Sequence, residues 1–418
     1  MKGRVEQVGG GGDGIIRADG GDWYVPATAP GDLIEFSPVR DKSRVRRGSL
    51  ETVLEPGPDR VQPDCPHFGR CGGCALQHLG PGFLSDWKLG QVRDVLKRRG
   101  FDVPDLTMGL EGAPGSRRRV TWSARLQADG AAALGFFERR GRNLIAVRSC
   151  PVLEPDLEKL VAPLRKLLPQ VLPRRTEARV QVNMTDGGAD LLIEGPVTEG
   201  LEAHEALSGF ADEHDLARIS ISEGDGGLPR TILMRRPPVL KWGQLRVTPP
   251  PGAFLQADRR AEALMRATVA EWSGGARAVV DLFSGVGTLI SALPLGSGSL
   301  AVDSDAAAIG ALKTALDAAE ENAGTEVRNL FRRPLQAEEL ARFDLAVLDP
   351  PAAGAREQCA ALASSTIGRV IYISCAPSTF ARDARILADA GFRIERVRVI
   401  DQFHWAADTE LSARLVRD

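Results

Sequence analysis

Three hydrophobic patterns follow one another along this chain. From residue 246 onward, consecutive apolar residues form runs that each stop at a turn: AVVDLFSG, GSLAVDSD, FDLAVLDPP and RVIYISCAP, with helix-length stretches between them. Unbroken apolar strands are what a sheet covered on both faces requires. This region therefore predicts a doubly wound parallel sheet with its ligands at the C-terminal strand ends. Between residue 116 and about residue 240, strand-like pieces (RRVTWSARL, GFFERR, RNLIAVRS, ARVQVNMT, ADLLIEG, RISISEG) alternate with helical ones (LEKLVAPLRKLL, LEAHEALSGFADEH), as in an α+β unit. The first 60 residues carry short strands (GRVEQV, GIIRAD, DWYVPA, DLIEFSPV) separated by Gly-rich and Pro-Gly turns, the spacing of a compact β-barrel. EPGPDRVQPDCP reads as a linker and SDWKLGQVRDVLKRRG as a helix over residues 85–100 ending at a glycine. The expected class is α/β, with a β-barrel over 1–58, a central α+β domain over 59–245 and a Rossmann-like domain over 246–418.

Composition adds little to this until its distribution is read. Of 418 residues, 43% are apolar and 26% charged, enough to build a core and too apolar for disorder. No apolar run reaches about 18 residues, so no membrane span is expected. The start, MKGRVEQVGGGGDG, has no secretory h-region, which points to a cytoplasmic address. The formal charge is only −2, yet between Arg93 and Arg148 twelve basic residues stand against six acids. One basic belt on a neutral protein suits a polyanion held in one place. A second basic run, RDKSRVRRG at 40–48, reads equally as a solvated edge strand or a phosphate contact.

Chemistry concentrates at the strand ends of the last domain. In VVDLFSGVGTLISAL (279–293), a strand leads into Asp281, and Gly285 and Gly287 then permit a tight turn before an expected helix. The turn is neither G-x-G-x-x-G nor a P-loop, and an acid before a glycine turn suits a cationic amino-acid ligand such as S-adenosylmethionine. Asp303 ends the next strand, where a carboxylate can accept ribose hydroxyls. Asp349 ends LAVLD ahead of two prolines. Cys375 ends YISC next to a following helix, whose N-terminus is expected to lower the thiol pKa and yield a thiolate nucleophile. Cys359, inside REQCAALASS, reads as a packed side chain.

Four further cysteines form a set. CPHFGRCGGCALQH (65–78) gives C-x5-C-x2-C, and Cys150 follows in SCPVL. In a reducing compartment such thiols are metal ligands more often than disulfides. Three close thiols plus a distant one make a tetrathiolate, with Gly72-Gly73 allowing tight backbone around a cubane. Zinc is the physical rival, although its sites more often pair two C-x2-C units. His67 and His78 read as neighbours of the site.

Taken together, VDLFSGVGTL, LDPPAAG, YISCAPSTFARD and DQFHWAADTE resemble the S-adenosylmethionine-dependent RNA uridine-C5 methyltransferases. The resemblance covers nearly the whole chain, since the N-terminal unit is similar to that family's TRAM domain. It implies a class I methyltransferase fold, Cys375 as nucleophile and Glu410 as base, counting from Asp401 and Phe403. Phe254 and Gln256 fall on the family's F-x-Q motif, with Phe254 a candidate for stacking on the target base. Gln256, Asp281, Phe283, Gly285, Gly287, Asp303 and Asp349 fall on the cofactor site. The cysteines match the iron–sulfur branch, which implies a 4Fe-4S cluster on Cys65, Cys71, Cys74 and Cys150, structural because methyl transfer moves no net electrons. Arg117, Arg118 and Arg119 in SRRRVTW would then face RNA phosphates, the alternative being charged strand faces without a partner.

The expected reaction is 5-methyluridine formation in structured RNA, ribosomal in preference to transfer RNA, by a monomer. Departures from the family pattern are Ala376 and Ala352, where Asn and Arg are usual, Asp258 for Asn, and HWAADT before the base. They motivate one rival reading, a degenerate paralogue that binds RNA and cofactor without turnover. Asp349-Pro350-Pro351 motivates another, an amino-methyltransferase, which Ala352 disfavours because an aromatic is wanted there.

Overall fold

The computed structural model describes residues 1–39, 45–198, 200–224, 226–293, 295 and 298–417. Three sheets carry the fold. The first has six strands in the order Lys2–Arg4, Leu33–Val39, Arg46–Glu55, Trp23–Val25, Gly14–Ile16, Gln7–Val8. Its two edge strands are successive in sequence and joined by Val5 and Glu6, whose N–H groups donate to Asp32 and Ile15 carbonyls. That short link curls the sheet around Val5, Ile16, Val25, Ile34 and Phe36, as the barrel reading expects. Residues 40–44 of the basic run at 40–48 lie outside the described residues.

The central sheet has seven strands, Leu144–Ala146, Ala132–Phe137, Arg119–Leu126, Glu177–Thr185, Gly188–Glu194, Leu216–Ser222 and Arg230–Met234 in spatial order. In Arg119–Leu126, Val120, Trp122, Ala124 and Leu126 point inward, so the period of two is the signature of one buried face. Helices Val161–Val171 and Leu201–Glu213 supply the cover.

The third sheet orders eight strands as Gly324–Val327, Leu300–Asp303, Val279–Leu282, Leu345–Leu348, Arg369–Ser374, Glu410–Val416, Arg393–Ile400 and Leu106–Leu110. The first five are parallel, and Glu410–Val416 runs antiparallel to both neighbours. Val279–Leu282 and Leu345–Leu348 are buried throughout, with alternate residues entering separate cores on the two faces. This is a Rossmann-like sheet, as the apolar runs require.

Two expectations need correction. The helix, observed over Pro81–Arg98, and strand Leu106–Leu110 fall within the expected central domain but pack on the third sheet: Val92 and Leu96 enter its core, and Leu106–Leu110 pairs with Arg393–Ile400. A helix's apolar stripe specifies that it is buried, without specifying against which sheet. The helix expected after the glycine turn is only a 3-10 turn, Ile290–Ala292, because Pro294, Gly296 and Gly298 follow at once. Among the described residues, no helix is long and apolar enough to cross a membrane.

Candidate active site

The register of one strand pair builds the centre. In the antiparallel pairing of Arg369–Ser374 with Glu410–Val416, Ser374 faces Leu411. The next step along both chains sets Cys375 beside Glu410, at the C-terminal edge of the parallel strands. Ser374 shapes the turn after it: its Oγ accepts the Ala376 N–H at 3.1 Å before helix Pro377–Asp389 begins. Asp349 leaves the adjacent strand with its N–H donating to the Leu282 carbonyl at 3.2 Å.

Cys375, Glu410 and Asp349 line one cavity of about 470 Å³ with Phe254, Gln256, Asp281, Phe283, Gly285, Asp303 and Arg119. Gly285 and Gly287 have φ of 53° and 90°, a region closed to most side chains, and a Cβ on Gly287 would meet Leu312 at 2.5 Å. Phe283, at φ 64°, bears left-handed strain itself, with its ring 5.4 Å from Phe331. Asp303 holds the turn in place by accepting the Gly285 N–H at 2.9 Å and the Asp305 N–H at 2.8 Å. Asp281 accepts the Ile290 N–H at 3.0 Å on Oδ2, while its Oδ1 is buried without a partner.

The electrostatics differ from expectation at Cys375. Burial first, then Glu410 and Asp349, push its thiol up to about 11. A helix N-terminus contributes only about half a unit charge, less than desolvation and two carboxyls working against it. The free protein therefore holds a thiol at neutral pH. Burial also raises Asp349 to about 7, raises Glu410 well above the usual carboxylate range, where Asp349 adds to the effect, and raises Asp281 likewise.

The three arginines part company. Arg119 lines this cavity, its guanidinium 4.2 Å from the exposed Phe254 ring. Arg118 is 2% exposed, donates to the Gln256 carbonyl at 2.9 Å and pairs with Glu262. It braces the segment that carries Phe254 and Gln256 and is closed to a phosphate. Arg117 donates to the Arg119 carbonyl at 3.0 Å and lines a second cavity.

That second cavity, about 360 Å³, is lined by Cys65, Cys71, Cys74 and Cys150. Burial and the neighbouring sulfurs raise Cys74 to about 11 and Cys150 to about 12. Gly72 is obligatory here, because a Cβ would come within 2.8 Å of the Phe137 carbonyl oxygen. Among the described residues, no three His, Cys, Asp or Glu side chains converge on a single-ion site. His67 accepts the Arg148 N–H at 3.0 Å. Phe403, His404, Ala406 and Asp408 wall the same cavity, so the thiols adjoin the loop that leads to Glu410.

A family model described as tRNA (Uracil-5-)-methyltransferase matches residues 300–417, the segment holding Asp303, Asp349, Cys375 and Glu410. An RNA methyltransferase of Caulobacter vibrioides, itself uncharacterized, is 40% identical over 97% of both chains. The 23S rRNA (uracil(1939)-C(5))-methyltransferase RlmD of Chromohalobacter salexigens is 30% identical over 99% of this chain and 89% of its own. The chain belongs to the RNA (uracil-C5) methyltransferase family. The crystal structure of a Pyrococcus abyssi tRNA (uracil-54, C5)-methyltransferase in complex with S-adenosyl-L-homocysteine shares the fold, with a TM-score of 0.78, 22% identity and full coverage of both chains.

Within this uracil-C5 methyltransferase, three functional residues escape the sequence reading. Gln402 bonds to both Gln256 and Glu410, Lys88 reaches Asp401 from a different part of the chain, and Phe331 forms a wall beside Phe283. The x of a D-x-F pattern carries no signal, and neither does one lysine in a helix. Asp258 is explained: it caps helix Arg259–Trp272 by accepting the Arg260 N–H at 2.7 Å, which Asn also does.

Proposed function

We propose that this enzyme forms 5-methyluridine in structured ribosomal RNA, using S-adenosylmethionine, with Cys375 as nucleophile and Glu410 as base. The observation that carries the reading is the convergence of Cys375, Glu410 and Asp349 on one cavity beside a glycine turn. The cavity suits the cofactor: the unpartnered Asp281 Oδ1 and Ser284 Oγ are acceptors for a cationic amino-acid end, and Phe283 and Phe331 offer aromatic faces. When bound, S-adenosylmethionine supplies an electrophilic methyl group. Carbon 5 of uracil is too weak a nucleophile unaided, so Cys375 Sγ adds at carbon 6 and makes carbon 5 electron-rich. The thiol proton has an acceptor nearby in the Asp349 carboxylate, raised to about 7 and so partly ionised at neutral pH, which leaves Glu410 free for the later proton. After methyl transfer, Glu410 takes the carbon-5 proton and Cys375 leaves. Phe254, with Arg119 against one face, is placed to stack on the extruded base. Ribosomal RNA is favoured over transfer RNA by the 30% identical RlmD relative.

Gel electrophoresis under denaturing conditions tests this. Glu410→Gln is expected to accumulate an enzyme–RNA adduct, and Cys375→Ala to form none and lose methylation while still binding RNA. Methylation retained by Cys375→Ala would overturn the assignment. Mapping 5-methyluridine by mass spectrometry in ribosomal and transfer RNA from a deletion strain identifies the substrate.

We further propose that Cys65, Cys71, Cys74 and Cys150 hold a 4Fe-4S cluster. Four half-buried thiols around one cavity fit such a group, since metal ligation is what favours thiolates there. The Gly73 N–H, 3.4 Å from Cys71 Sγ, is a donor suited to a charged sulfur. The role is structural: electrons carried by a cluster have no part in methyl transfer.

A further inference from the structure

We propose that Gln402 is the positioning residue for the general base, holding one carboxylate oxygen of Glu410 so that the other alone receives the carbon-5 proton. This rests on the reading of Glu410 as the base. Gln402 lies in the loop between strands Arg393–Ile400 and Glu410–Val416 and is 4% exposed. Its amide orientation is forced. Oε1 accepts the Ala257 backbone N–H at 2.9 Å, a group that only donates. The NH2 group must therefore face the other way, and there Nε2 donates to Glu410 Oε2 at 2.7 Å and to Gln256 Oε1 at 2.9 Å. Gln256 passes the constraint on, its Nε2 donating to Asp349 Oδ2 at 3.0 Å. Glu410 and Asp349 are thus tied to one backbone N–H through two amides.

The consequence falls on Glu410. Oε2 is engaged, while Oε1 is buried with no partner among the described residues, leaving one oxygen available. In the release step the carbon-5–hydrogen bond breaks and its proton goes to Oε1. The electron pair of that bond becomes the carbon-5–carbon-6 double bond, and the carbon-6–sulfur pair leaves with Cys375 as thiolate. The Gln402 donor also favours the charged carboxylate, against burial and Asp349. Among the described residues, the other charged or titratable groups lining this cavity are Cys375, Asp281, Asp303, Asp305, Arg119 and Arg328, with Asp408 of the same loop acting on Cys375.

Single-turnover assays on the full-length enzyme with a uridine-containing RNA substrate and S-adenosylmethionine separate adduct formation from release. Gln402→Leu removes the donor at similar size. It is expected to form adduct near the wild-type rate but release methylated RNA about 100-fold more slowly, the scale of a misplaced catalytic group. The pH midpoint of release should also move upward. Isosteric Gln402→Glu can donate only while protonated, and Glu410 accepts a proton only while ionised, so its release should pass through a maximum and fall as pH rises, a falling limb that general loosening does not produce. Wild-type release rate and pH profile in Gln402→Leu, or equal slowing of formation and release, would overturn the inference. Glu410→Gln, run alongside, keeps the two readings apart. Trapped adduct there with unperturbed release in Gln402→Leu sinks the Gln402 role alone, whereas no trapped adduct in Glu410→Gln removes the base assignment and this inference with it.

Discussion

Cys375 shows how a residue's chemistry depends on its surroundings more than on its position in a motif. With its thiol at about 11 in the free enzyme, thiolate rises about tenfold per pH unit throughout the neutral range. Alkylation of Cys375 by iodoacetamide, followed by peptide mass spectrometry, should therefore accelerate about tenfold per unit between about pH 7 and 9. A plateau below pH 8 would contradict the buried, carboxyl-flanked thiol. That Cys375 lies at a strand end is legible in YISCAP, since the apolar run stops there. Its raised pKa is not, because Glu410 and Asp349 come from distant segments. The same holds for the arginine triplet: SRRRVTW gives three similar charges, and only the fold buries Arg118 against Glu262 while leaving Arg119 in the cavity.

At the scale of elements, the loop from Asp401 to Thr409 is the part that needs holding. Lys88, 1% exposed on helix Pro81–Arg98, pairs with Asp401 and donates to the Phe403 and Asp408 carbonyls at 3.0 and 3.1 Å. One ammonium therefore clamps both ends of the loop. From the other side, the Ala75 and Leu76 N–H groups donate to the Trp405 carbonyl at 2.9 and 3.0 Å. Trp405 packs with Leu76, Leu79, Leu84 and Trp87. Lys88→Met would leave Asp401 buried without its Lys88 counter-charge and remove one donor from each of the Phe403 and Asp408 carbonyls. The expected cost is about 3–5 kcal/mol, measurable by urea denaturation. Replacing both partners, as Lys88→Met with Asp401→Leu, should recover part of it. A single-variant loss within experimental error would show that the clamp contributes nothing.

Across the whole molecule, the thiol cavity sits where the barrel, the central sheet and the loop leading to Glu410 meet. Val8 and Ala29 of the barrel share one core with Leu76, Val152 and Trp405, and Cys74 and Cys150 pack against it. Cys150→Ser should therefore lower iron content and visible absorbance and also the thermal midpoint of the whole enzyme. Unchanged iron with unchanged stability would exclude the proposed cluster on these ligands. The proposed cluster, by joining residues 74 and 150, would also fix the strand between them that starts at Arg119, which lines the cavity of Cys375 and Glu410.

The sequence by itself determined the sheet types, because hydrophobic periodicity records how many faces of a strand are covered. It also determined which residues can do chemistry at strand ends and that four cysteines form a set, since residue type and local spacing are both linear properties. Only the tertiary structure decided that helix Pro81–Arg98 serves the third sheet, that Gln402 ties Glu410 to Asp349 through Gln256, and that a helix N-terminus loses to burial and two carboxyls at Cys375. These outcomes depend on which distant groups share a dry volume, and electrostatic and hydrogen-bonding energies are set there by distance and burial rather than by order along the chain.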